Sequence, residues 1–283
     1  MLRVFSDAAA FLDVVEPKLL AREAENALLL GVATALRDGR RYGDEPPFLA
    51  CTVDETAVVA AAVRTPPYNL LLGNATRSGW EPVAKHLADT GVHLPGVNAE
   101  RDVALDFAEW WSTSCGVRHE VTMRQRLYRL TAVAFPVGVR GHARWAEASD
   151  AELLARWTKA FNAEAIPSSP PDDVTTLIAR HLAARTLLVW DDGGPVSMAA
   201  STRSTPHGGS VSLVYTPPEK RGHGYASACV ASLSREILES GKRFCTLFTN
   251  LDNPTSNHIY QRMGYLPLAD CLEVRFAESN KKI

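Results

Sequence analysis

The chain has 283 residues, of which 46% are hydrophobic and 22% charged, and its formal net charge is −2 at pH 7. This length is sufficient for two domains of ordinary size, and the composition is typical of a globular protein with a full hydrophobic core. The small net charge argues against a general affinity for nucleic acid or for an anionic membrane surface. No apolar run approaches the length of a membrane-spanning helix, so we expect no membrane segment.

The cysteines and the N-terminus favour a reducing compartment. The cysteines are odd in number and show neither paired spacing nor the spacing of a metal site. They are Cys51, Cys115, Cys229, Cys245 and Cys271. Near the N-terminus, Asp7 and Asp13 interrupt the apolar run that a secretory signal needs. We therefore expect a cytoplasmic protein without a metal ion.

The first part of the chain is predicted to alternate helices and strands. In order, these are helices over 8–15 and 19–36 with a break at Pro17, strands over 48–53, 57–64 and 68–72, helices at about 79–90 and 98–114, and an extended segment over 117–133. The acidic turn Asp54-Glu55-Thr56 separates two apolar runs and predicts a hairpin there. This order of elements indicates a mixed α/β domain.

A run rich in glycine and proline marks the predicted domain boundary. Phe135-Pro136-Val137-Gly138, followed by Gly141, favours a loop rather than a helix or a central strand. We therefore predict a first domain over 1–136 and a second over 137–283. In the second domain we expect helices over 150–165 and 174–184, a loop over 166–173, strands over 186–190 and 196–202, and a turn over 203–209.

The segment Val211–Ser227 combines a strand, a glycine turn and the start of a helix. It reads V-S-L-V-Y-T-P-P-E-K-R-G-H-G-Y-A-S. Its β-branched, aliphatic and aromatic residues predict a buried strand, which Pro217 and Pro218 end. A turn between a strand and a helix directs backbone N–H groups and the positive end of the helix dipole at one point, and glycine allows close approach of a ligand. The segment therefore predicts a phosphate-binding turn.

The spacing of this turn excludes two common phosphate motifs. The residues after Gly224 are Tyr225, Ala226 and Ser227, so the third glycine of a dinucleotide fingerprint is missing. No lysine and hydroxyl pair closes the turn, as a P-loop requires. The motif that remains is R-G-x-G-x-A, beginning at Arg221.

A second motif follows a short predicted strand over 244–249. It reads N-P-T-S-N-H-I-Y-Q-R-M-G-Y and begins at Asn253, which is a good helix N-cap. Gly264 is placed to end this helix. At about 100° per residue, Asn253, Ser256 and Tyr260 share one face. The pattern therefore predicts a short helix with a polar and aromatic face.

The two motifs, separated by one helix and one strand, resemble those of the GNAT superfamily, acyltransferases that use acetyl-coenzyme A. In that family the first motif binds pyrophosphate, and the second reads N-x-x-A-x-x-L-Y-x-x-x-G-F/Y. Asn253, Tyr260 and Tyr265 match the second pattern, whereas Ser256 and Ile259 replace its Ala and Leu.

The resemblance implies an α/β GNAT (acyl-CoA N-acyltransferase) fold, with a mixed, mostly antiparallel sheet and flanking helices. It implies acetyl-CoA as co-substrate and direct transfer of an acetyl group to a primary amine of a small molecule. It also implies Tyr260 as the catalytic residue that gives a proton or a hydrogen bond to the departing thiolate. The residues implied in cofactor binding are Val214, Tyr215, Thr216, Arg221, Gly222, His223, Gly224, Tyr225, Ala226, Asn253 and Ser256.

The two halves of the chain resemble each other in pattern. The segment 58–66 parallels 196–203, and each follows an acidic turn and a strand. This similarity predicts a tandem arrangement of two GNAT-like domains. Nothing over 70–105 reads R-G-x-G-x-A, so the first domain is predicted to lack the coenzyme A motif.

The acceptor side is less well defined by the sequence. We expect the acceptor pocket to use the loop over 166–173 and the turn over 203–209. No residue stands out as the general base. The candidates from position are Glu164, His207, Glu219 and Asp252.

The main expectation is transfer to a small-molecule amine, with neither nucleic acid nor a membrane as a partner. Two other functions stay open. One is a non-catalytic acyl-CoA sensor in which the first half is the working surface. The other is an aminoacyl-tRNA-dependent transferase, which the net charge of −2 disfavours because RNA binding requires a basic surface. The sequence also leaves a homodimer open.

Overall fold

The chain forms two compact units in the computed structural model, which describes residues 1–165 and 173–278. Unit 1 comprises residues 1–127 and the chain from Ala269, and unit 2 comprises Tyr128–Leu268. Most of the loop predicted over 166–173, namely 166–172, lies outside the described residues. Within the described ranges, no helix is both long enough and apolar enough to cross a membrane.

The described elements follow one another in this order: β1 (Leu2–Phe5), α1 (Ala8–Leu20), α2 (Ala27–Arg37), β2 (Phe48–Asp54), β3 (Ala57–Arg64), β4 (Leu70–Leu72), α3 (Arg77–Asp89), β5 (Gly96–Glu100), α4 (Arg101–Cys115), β6 (Val117–Leu130), β7 (His142–Trp145), α5 (Ala151–Ala165), α6 (Val174–Ala184), β8 (Leu187–Asp191), β9 (Pro195–Thr202), β10 (Gly208–Tyr215), α7 (Tyr225–Glu239), β11 (Phe244–Asn250), α8 (Pro254–Arg262) and β12 (Leu266–Glu278).

Unit 1 is a sheet with helices on both faces. Its strand order is β1-β2-β3-β4-β5-β12-β6, and β4 pairs with β5 in parallel, whereas the neighbouring pairs of β1 to β4 are antiparallel. Successive side chains of a strand point to opposite faces. Accordingly, Ala61 and Val63 of β3 lie in one core with α1 and α2, and Ala62 lies in another with α3 and α4. Both faces of the sheet are therefore buried.

Unit 2 has the same layered construction. Its strand order is β6-β11-β10-β9-β8-β7, where β6 contributes its residues from Tyr128 on. α7 packs in one core with Val211, and α5 and α6 pack in another with Leu213. Two residues that are two positions apart in β10 thus belong to different cores. The register of β10 against β9 shifts between Ser212 and Tyr215, and Leu213 has φ +51°, so the bulge reverses the side-chain direction.

Both units contain the same succession of elements. An antiparallel hairpin leads to a third strand, a helix, a strand parallel to the third, and a second helix. In unit 1 these are β2, β3, β4, α3, β5 and α4, and in unit 2 they are β8, β9, β10, α7, β11 and α8. This repetition confirms the predicted tandem α/β arrangement.

Unit 1 is built from two separate segments of the chain, and unit 2 is built from the segment between them. The chain passes from unit 1 to unit 2 between Leu127 and Tyr128, ahead of the predicted boundary at residue 136, and returns to unit 1 at Ala269. The buried residues Leu272, Val274 and Phe276 accordingly belong to a core of unit 1. The run of glycine and proline that suggested the boundary is the connection between β6 and β7, which belongs to unit 2.

Two predicted elements were wrong. The break predicted at Pro17 does not occur, since α1 runs through it to Leu20; the interruption lies instead over 21–26, inside the helix predicted over 19–36. Proline removes the hydrogen bond to the carbonyl four residues earlier, and here Pro17 and Asp13 both lie on the exposed side, where water can take its place. Residues 98–100, predicted as helix, belong to β5, because Val97 and Ala99 are buried in the sheet. Two short strands, β1 and β7, were not predicted.

Candidate active site

The parallel strands β10 and β11 separate toward the glycine turn. Their described pairing runs from Gly208 opposite Phe244 to Ser210 opposite Thr246 and does not continue beyond. The predicted cofactor residues Val214, Tyr215 and Thr216 follow this point. Val214 is half-buried, whereas Tyr215 and Thr216 are buried.

Side chains fix the backbone at the end of β10. The Ser197 hydroxyl donates to the carbonyl oxygen of Tyr215 at 3.1 Å and lies 2.9 Å from the Thr216 hydroxyl. The Tyr215 ring packs against Trp157 of α5, with centroids 6.2 Å apart. The backbone at Tyr215 and Thr216, which the resemblance implies in cofactor binding, is therefore held from the β9 side and from α5.

The glycine turn leaves a series of backbone donors without acceptors. Gly222 and Gly224 have φ of +84° and +80°, which favours glycine, and Gly224 is the N-cap of α7. Within residues 1–165 and 173–278, no acceptor is found for the N–H groups from Gly222 to Ser227. The first N–H groups of a helix have no partner within the helix, and they carry its positive dipole end. This stretch therefore fits an anion such as a pyrophosphate.

Arg221 has a side chain that is already engaged. Its Nε donates to the Thr216 carbonyl oxygen at 2.9 Å, and its Nη2 lies 2.7 Å from a carboxylate oxygen of Glu164, at the end of α5. Its guanidinium also lies 5.8 Å from the centroid of the Tyr215 ring. Both partners of the ion pair are about half exposed, at 47% and 49%. Of the general-base candidates, Glu164 is thus committed to a cation.

His223 and Tyr225 form a stacked pair beside the turn. Their ring centroids are 5.4 Å apart with an interplanar angle of 13°, and His223 Nδ1 lies 2.9 Å from the Arg221 carbonyl oxygen. The Tyr225 hydroxyl donates to Asp192 at 2.6 Å, and this hydrogen bond raises the pKa of the phenol. The Tyr225 side chain is therefore bound to Asp192, so only the backbone N–H groups of Tyr225 and Ala226 are left for the predicted cofactor binding, which stays a prediction.

The second motif forms the N-terminus of α8. The Asn253 side chain accepts a hydrogen bond from the Ser256 backbone N–H at 3.0 Å, and Pro254 is the first helical residue. Asn253 is exposed and Ser256 half-buried. The predicted N-cap is confirmed by this geometry. The binding of a cofactor by these two side chains stays a prediction.

Tyr260 is the one buried residue of α8. It is 8% exposed, and its ring packs against Tyr128 and Tyr265 with centroid distances of 6.4 and 5.9 Å. Its hydroxyl has no hydrogen-bond partner among the described residues. Burial raises the pKa of this phenol to about 12. The hydroxyl therefore keeps its proton at neutral pH and is available to donate to a ligand.

A polar network around α8 was missed at the level of the sequence. The Tyr128 hydroxyl donates to Asn257 Oδ1 at 2.8 Å and accepts from Gln261 Nε2 at 3.2 Å. Asn257 Nδ2 in turn donates to the carbonyl oxygens of Asn250 and Asn253, at 2.9 and 2.8 Å. Tyr128 lies 129 positions before Asn257, so no local pattern connects them.

The corresponding place in unit 1 is built differently. The connection from β4 to α3 runs only from Gly73 to Thr76 and lacks the R-G-x-G-x-A motif. Asn74 Nδ2 donates to the carboxylate of Glu100, and this carboxylate lies 3.2 Å from Arg22. A carboxylate bound at this connection disfavours a phosphate there, because like charges repel.

Residues 191–274 match the family model described as FR47-like protein. This range contains the glycine turn, α7, β11 and α8. Among curated proteins, none matches the sequence significantly.

Solved structures match over the whole chain. The GCN5-related N-acetyltransferase from Sphaerobacter thermophilus is 15% identical with a TM-score of 0.62, and the match covers 100% of this chain and 98% of that one. An acetyltransferase of the GNAT family from Colwellia psychrerythraea is 11% identical with a TM-score of 0.57, and the match covers 99% of this chain and 100% of that one. A tandem GNAT protein from the clavulanic acid biosynthesis pathway is 12% identical with a TM-score of 0.55, and the match covers 100% of both chains.

The chain therefore has the acyltransferase fold of the GNAT superfamily, in the tandem form. The resemblance inferred from the two motifs is confirmed at the level of the fold, and the family model matches residues 191–274, which carry both motifs.

Proposed function

We propose that the protein is an N-acetyltransferase that moves the acetyl group of acetyl-CoA to a primary amine of a small molecule. The observation that carries this proposal is the run of unpartnered N–H groups from Gly222 to Ser227 at the start of α7. The diphosphate of coenzyme A has the charge and the acceptor oxygens that such a run of donors binds. Tyr260, with its free hydroxyl, lies in the same unit.

The residues of unit 2 divide the binding work between them. The backbone from Gly222 to Ala226 holds the pyrophosphate. The backbone at Val214, Tyr215 and Thr216 lies where β10 no longer pairs with β11, so it can pair with the amides of the pantetheine arm, as in strand addition. The thioester, when bound, supplies an acyl group that an amine can take without a covalent enzyme intermediate. A backbone N–H near Tyr215 is placed to donate to its carbonyl oxygen.

Tyr260 acts as a hydrogen-bond donor to the sulfur of the leaving thiolate. Its pKa of about 12 lies well above the value of about 8.5 for a thiol in water, so complete proton transfer from the phenol is unfavourable. A hydrogen bond from a neutral phenol to a charged sulfur carries no such cost and is strengthened by the low local dielectric. The buried position of Tyr260 therefore favours charge stabilisation over full proton transfer.

The acceptor is proposed to be a small primary amine rather than a macromolecule. The net charge of −2 gives no general attraction to nucleic acid, which disfavours a tRNA-dependent reaction. A purely structural acyl-CoA sensor has no need of a buried hydroxyl without a partner, and this feature of Tyr260 favours an enzyme. The reducing compartment expected from the cysteine usage stays a prediction.

The test is a screen of primary amines with acetyl-CoA, in which free thiol is measured and the product is identified by mass. We expect an N-acetylated product with the native chain. Tyr260→Phe should lower kcat by about a hundredfold while leaving acetyl-CoA binding nearly unchanged, because it removes only the donor. Absence of acetyl-CoA binding by the native chain in calorimetry would refute the proposed function.

A further inference from the structure

We infer that Tyr128 is a positioning residue for Tyr260, an inference that rests on the proposed function. Tyr128 is the first residue of unit 2 and is fully buried, with 0% exposure. Its ring packs against the Tyr260 ring at a centroid distance of 6.4 Å and an angle of 53°. Its hydroxyl reaches past this ring to the polar residues on either side of Tyr260 in α8.

The Tyr128 hydroxyl is bonded to α8 at two points. It donates to Asn257 Oδ1 at 2.8 Å and accepts from Gln261 Nε2 at 3.2 Å. Asn257 lies almost one turn before Tyr260, and Gln261 directly follows it. Two bonds on either side of one residue fix both the rotation of the helix about its axis and its displacement along it. The direction of the Tyr260 hydroxyl follows from these two coordinates.

α8 has few other contacts that fix its position. It is a short helix, and Tyr260 is its one buried residue. Its apolar contacts with the core come from Tyr260 and the half-buried Ile259, fewer than in α7, where most residues are buried. Asn257 extends the network through its bonds to the carbonyl oxygens of Asn250 and Asn253. The polar network that begins at Tyr128 thus determines where the proposed donor points.

Tyr265 provides a matched control within the same cluster. It is 1% exposed, and its ring lies 5.9 Å from the Tyr260 ring, so it resembles Tyr128 in burial and in contact. Its hydroxyl lies 2.8 Å from Ser234 of α7 and makes no bond to α8. Removing the Tyr265 hydroxyl leaves the fully buried Ser234 without its partner, whereas Asn257 is half-buried and Gln261 exposed, so we expect Tyr265→Phe to cost at least as much stability as Tyr128→Phe. Of the two substitutions, only Tyr128→Phe removes the hydrogen bonds to Asn257 and Gln261 of α8.

The experiment compares Tyr128→Phe with Tyr265→Phe in the full chain labelled with 3-fluorotyrosine. The ¹⁹F resonance of Tyr260 is assigned by its loss in Tyr260→Phe. We expect this resonance to broaden or split in Tyr128→Phe and to stay a single narrow line in Tyr265→Phe. With acetyl-CoA and glycinamide as the amine probe, kcat for thiol release should fall at least about tenfold in Tyr128→Phe, since a small misplacement of a catalytic group is costly. Acetyl-CoA affinity, measured by calorimetry, should change little.

An unchanged Tyr260 resonance in Tyr128→Phe, or an equal change in both variants, would overturn the inference. Equal losses of kcat in the two variants would also overturn it, because they would indicate a general loss of packing. The fluorine measurement needs no turnover, so it decides the positioning role even if glycinamide is not accepted. Failure of the native chain to bind acetyl-CoA would remove the proposed function, and the resonance would still report on the position of α8.

Discussion

The Arg221 guanidinium donates to both carboxylate oxygens of Glu164, at 2.7 and 3.1 Å, and this pair joins the first residue of the glycine motif to the last turn of α5. The resemblance assigns Arg221 to cofactor binding. A carboxylate bound to this arginine therefore competes with the anionic cofactor for the same cation. Both side chains are about half exposed, so the pair itself contributes little to stability.

We predict that Glu164→Gln raises the affinity for acetyl-CoA. Removal of the carboxylate takes away a negative charge near the proposed pyrophosphate site and frees Arg221. An exposed ion pair is worth up to about 1 kcal/mol, which corresponds to a gain of up to about fivefold. Calorimetry at low ionic strength measures the affinity for acetyl-CoA, and added salt should reduce the gain in affinity. Glu152→Gln, which removes another carboxylate of α5 that is paired with Arg156, is the control. A lower affinity in Glu164→Gln would mean that Glu164 orients Arg221 toward the cofactor.

We predict that Gly224→Val abolishes acetyl-CoA binding and leaves the fold intact. Gly224 has φ +80°, and an added Cβ would lie 3.0 Å from Val139 Cγ2, so a branched side chain must displace the turn. The left-handed conformation alone costs a residue with a side chain about 1–2 kcal/mol. Gly241→Val is the matched control, since Gly241 follows the other end of α7 with φ +94° and has no atom within 4 Å of its added Cβ. Circular dichroism checks the fold and calorimetry the binding; retained binding in Gly224→Val would contradict the role of the turn.

We predict that stability falls between about pH 10 and pH 12 because of the buried tyrosines. Burial raises the pKa of Tyr260 from 10.0 to about 12 and that of Tyr265 well above 10. In this interval the unfolded chain loses phenolic protons that the native chain retains, so the free energy of unfolding falls as pH rises. Tyr260 contributes about 3 kcal/mol to this fall. Urea unfolding of Tyr260→Phe across the interval should show a correspondingly smaller loss, and an identical pH dependence would indicate that Tyr260 is solvated.

We predict that the fragments 1–136 and 137–283 do not fold as separate domains. The first lacks Leu272, Val274 and Phe276, which are buried in unit 1, and each such side chain contributes about 1.5–3 kcal/mol. The second lacks Tyr128 and Leu130, which are buried in unit 2. Thermal unfolding followed by circular dichroism should show no cooperative transition for either fragment.

Extending the second fragment to begin at residue 128 tests the cause of that failure. This fragment regains the residues of β6 that belong to unit 2, so we expect it to unfold more cooperatively than 137–283. Equal behaviour of the two fragments would show that residues 128–136 are not needed for this unit.

The parts of the site that the sequence could predict are those determined by local backbone chemistry. Gly222 and Gly224 were identifiable because a strand that ends at proline and a helix that starts soon after leave little alternative for the turn. Asn253 was identifiable because N-capping depends on a residue and its neighbours three positions away. Each of these patterns lies within a few consecutive residues, so it can be read without knowledge of the fold.

The parts that the sequence could not predict depend on distant residues. Glu164 and Arg221 are 57 positions apart, and Tyr128 and Asn257 are 129 apart. Their types, a carboxylate, an arginine, a tyrosine and an amide, are common on any surface, and only the tertiary fold brings them together. The sequence also could not predict that most of β12 belongs to unit 1, because an alternating strand pattern does not identify its partner strands.

The return of the chain to unit 1 at Ala269 has a consequence for biosynthesis. A ribosome makes the N-terminal end first, and domains generally fold as they emerge. Here the sheet of unit 1 lacks β12 until Leu266–Glu278 has been made, after nearly all of unit 2, whereas unit 2 receives its part of β6 early. The half of the protein that is synthesised first is therefore expected to be completed last, and in the interval its open strand edge is the surface that a chaperone has to protect.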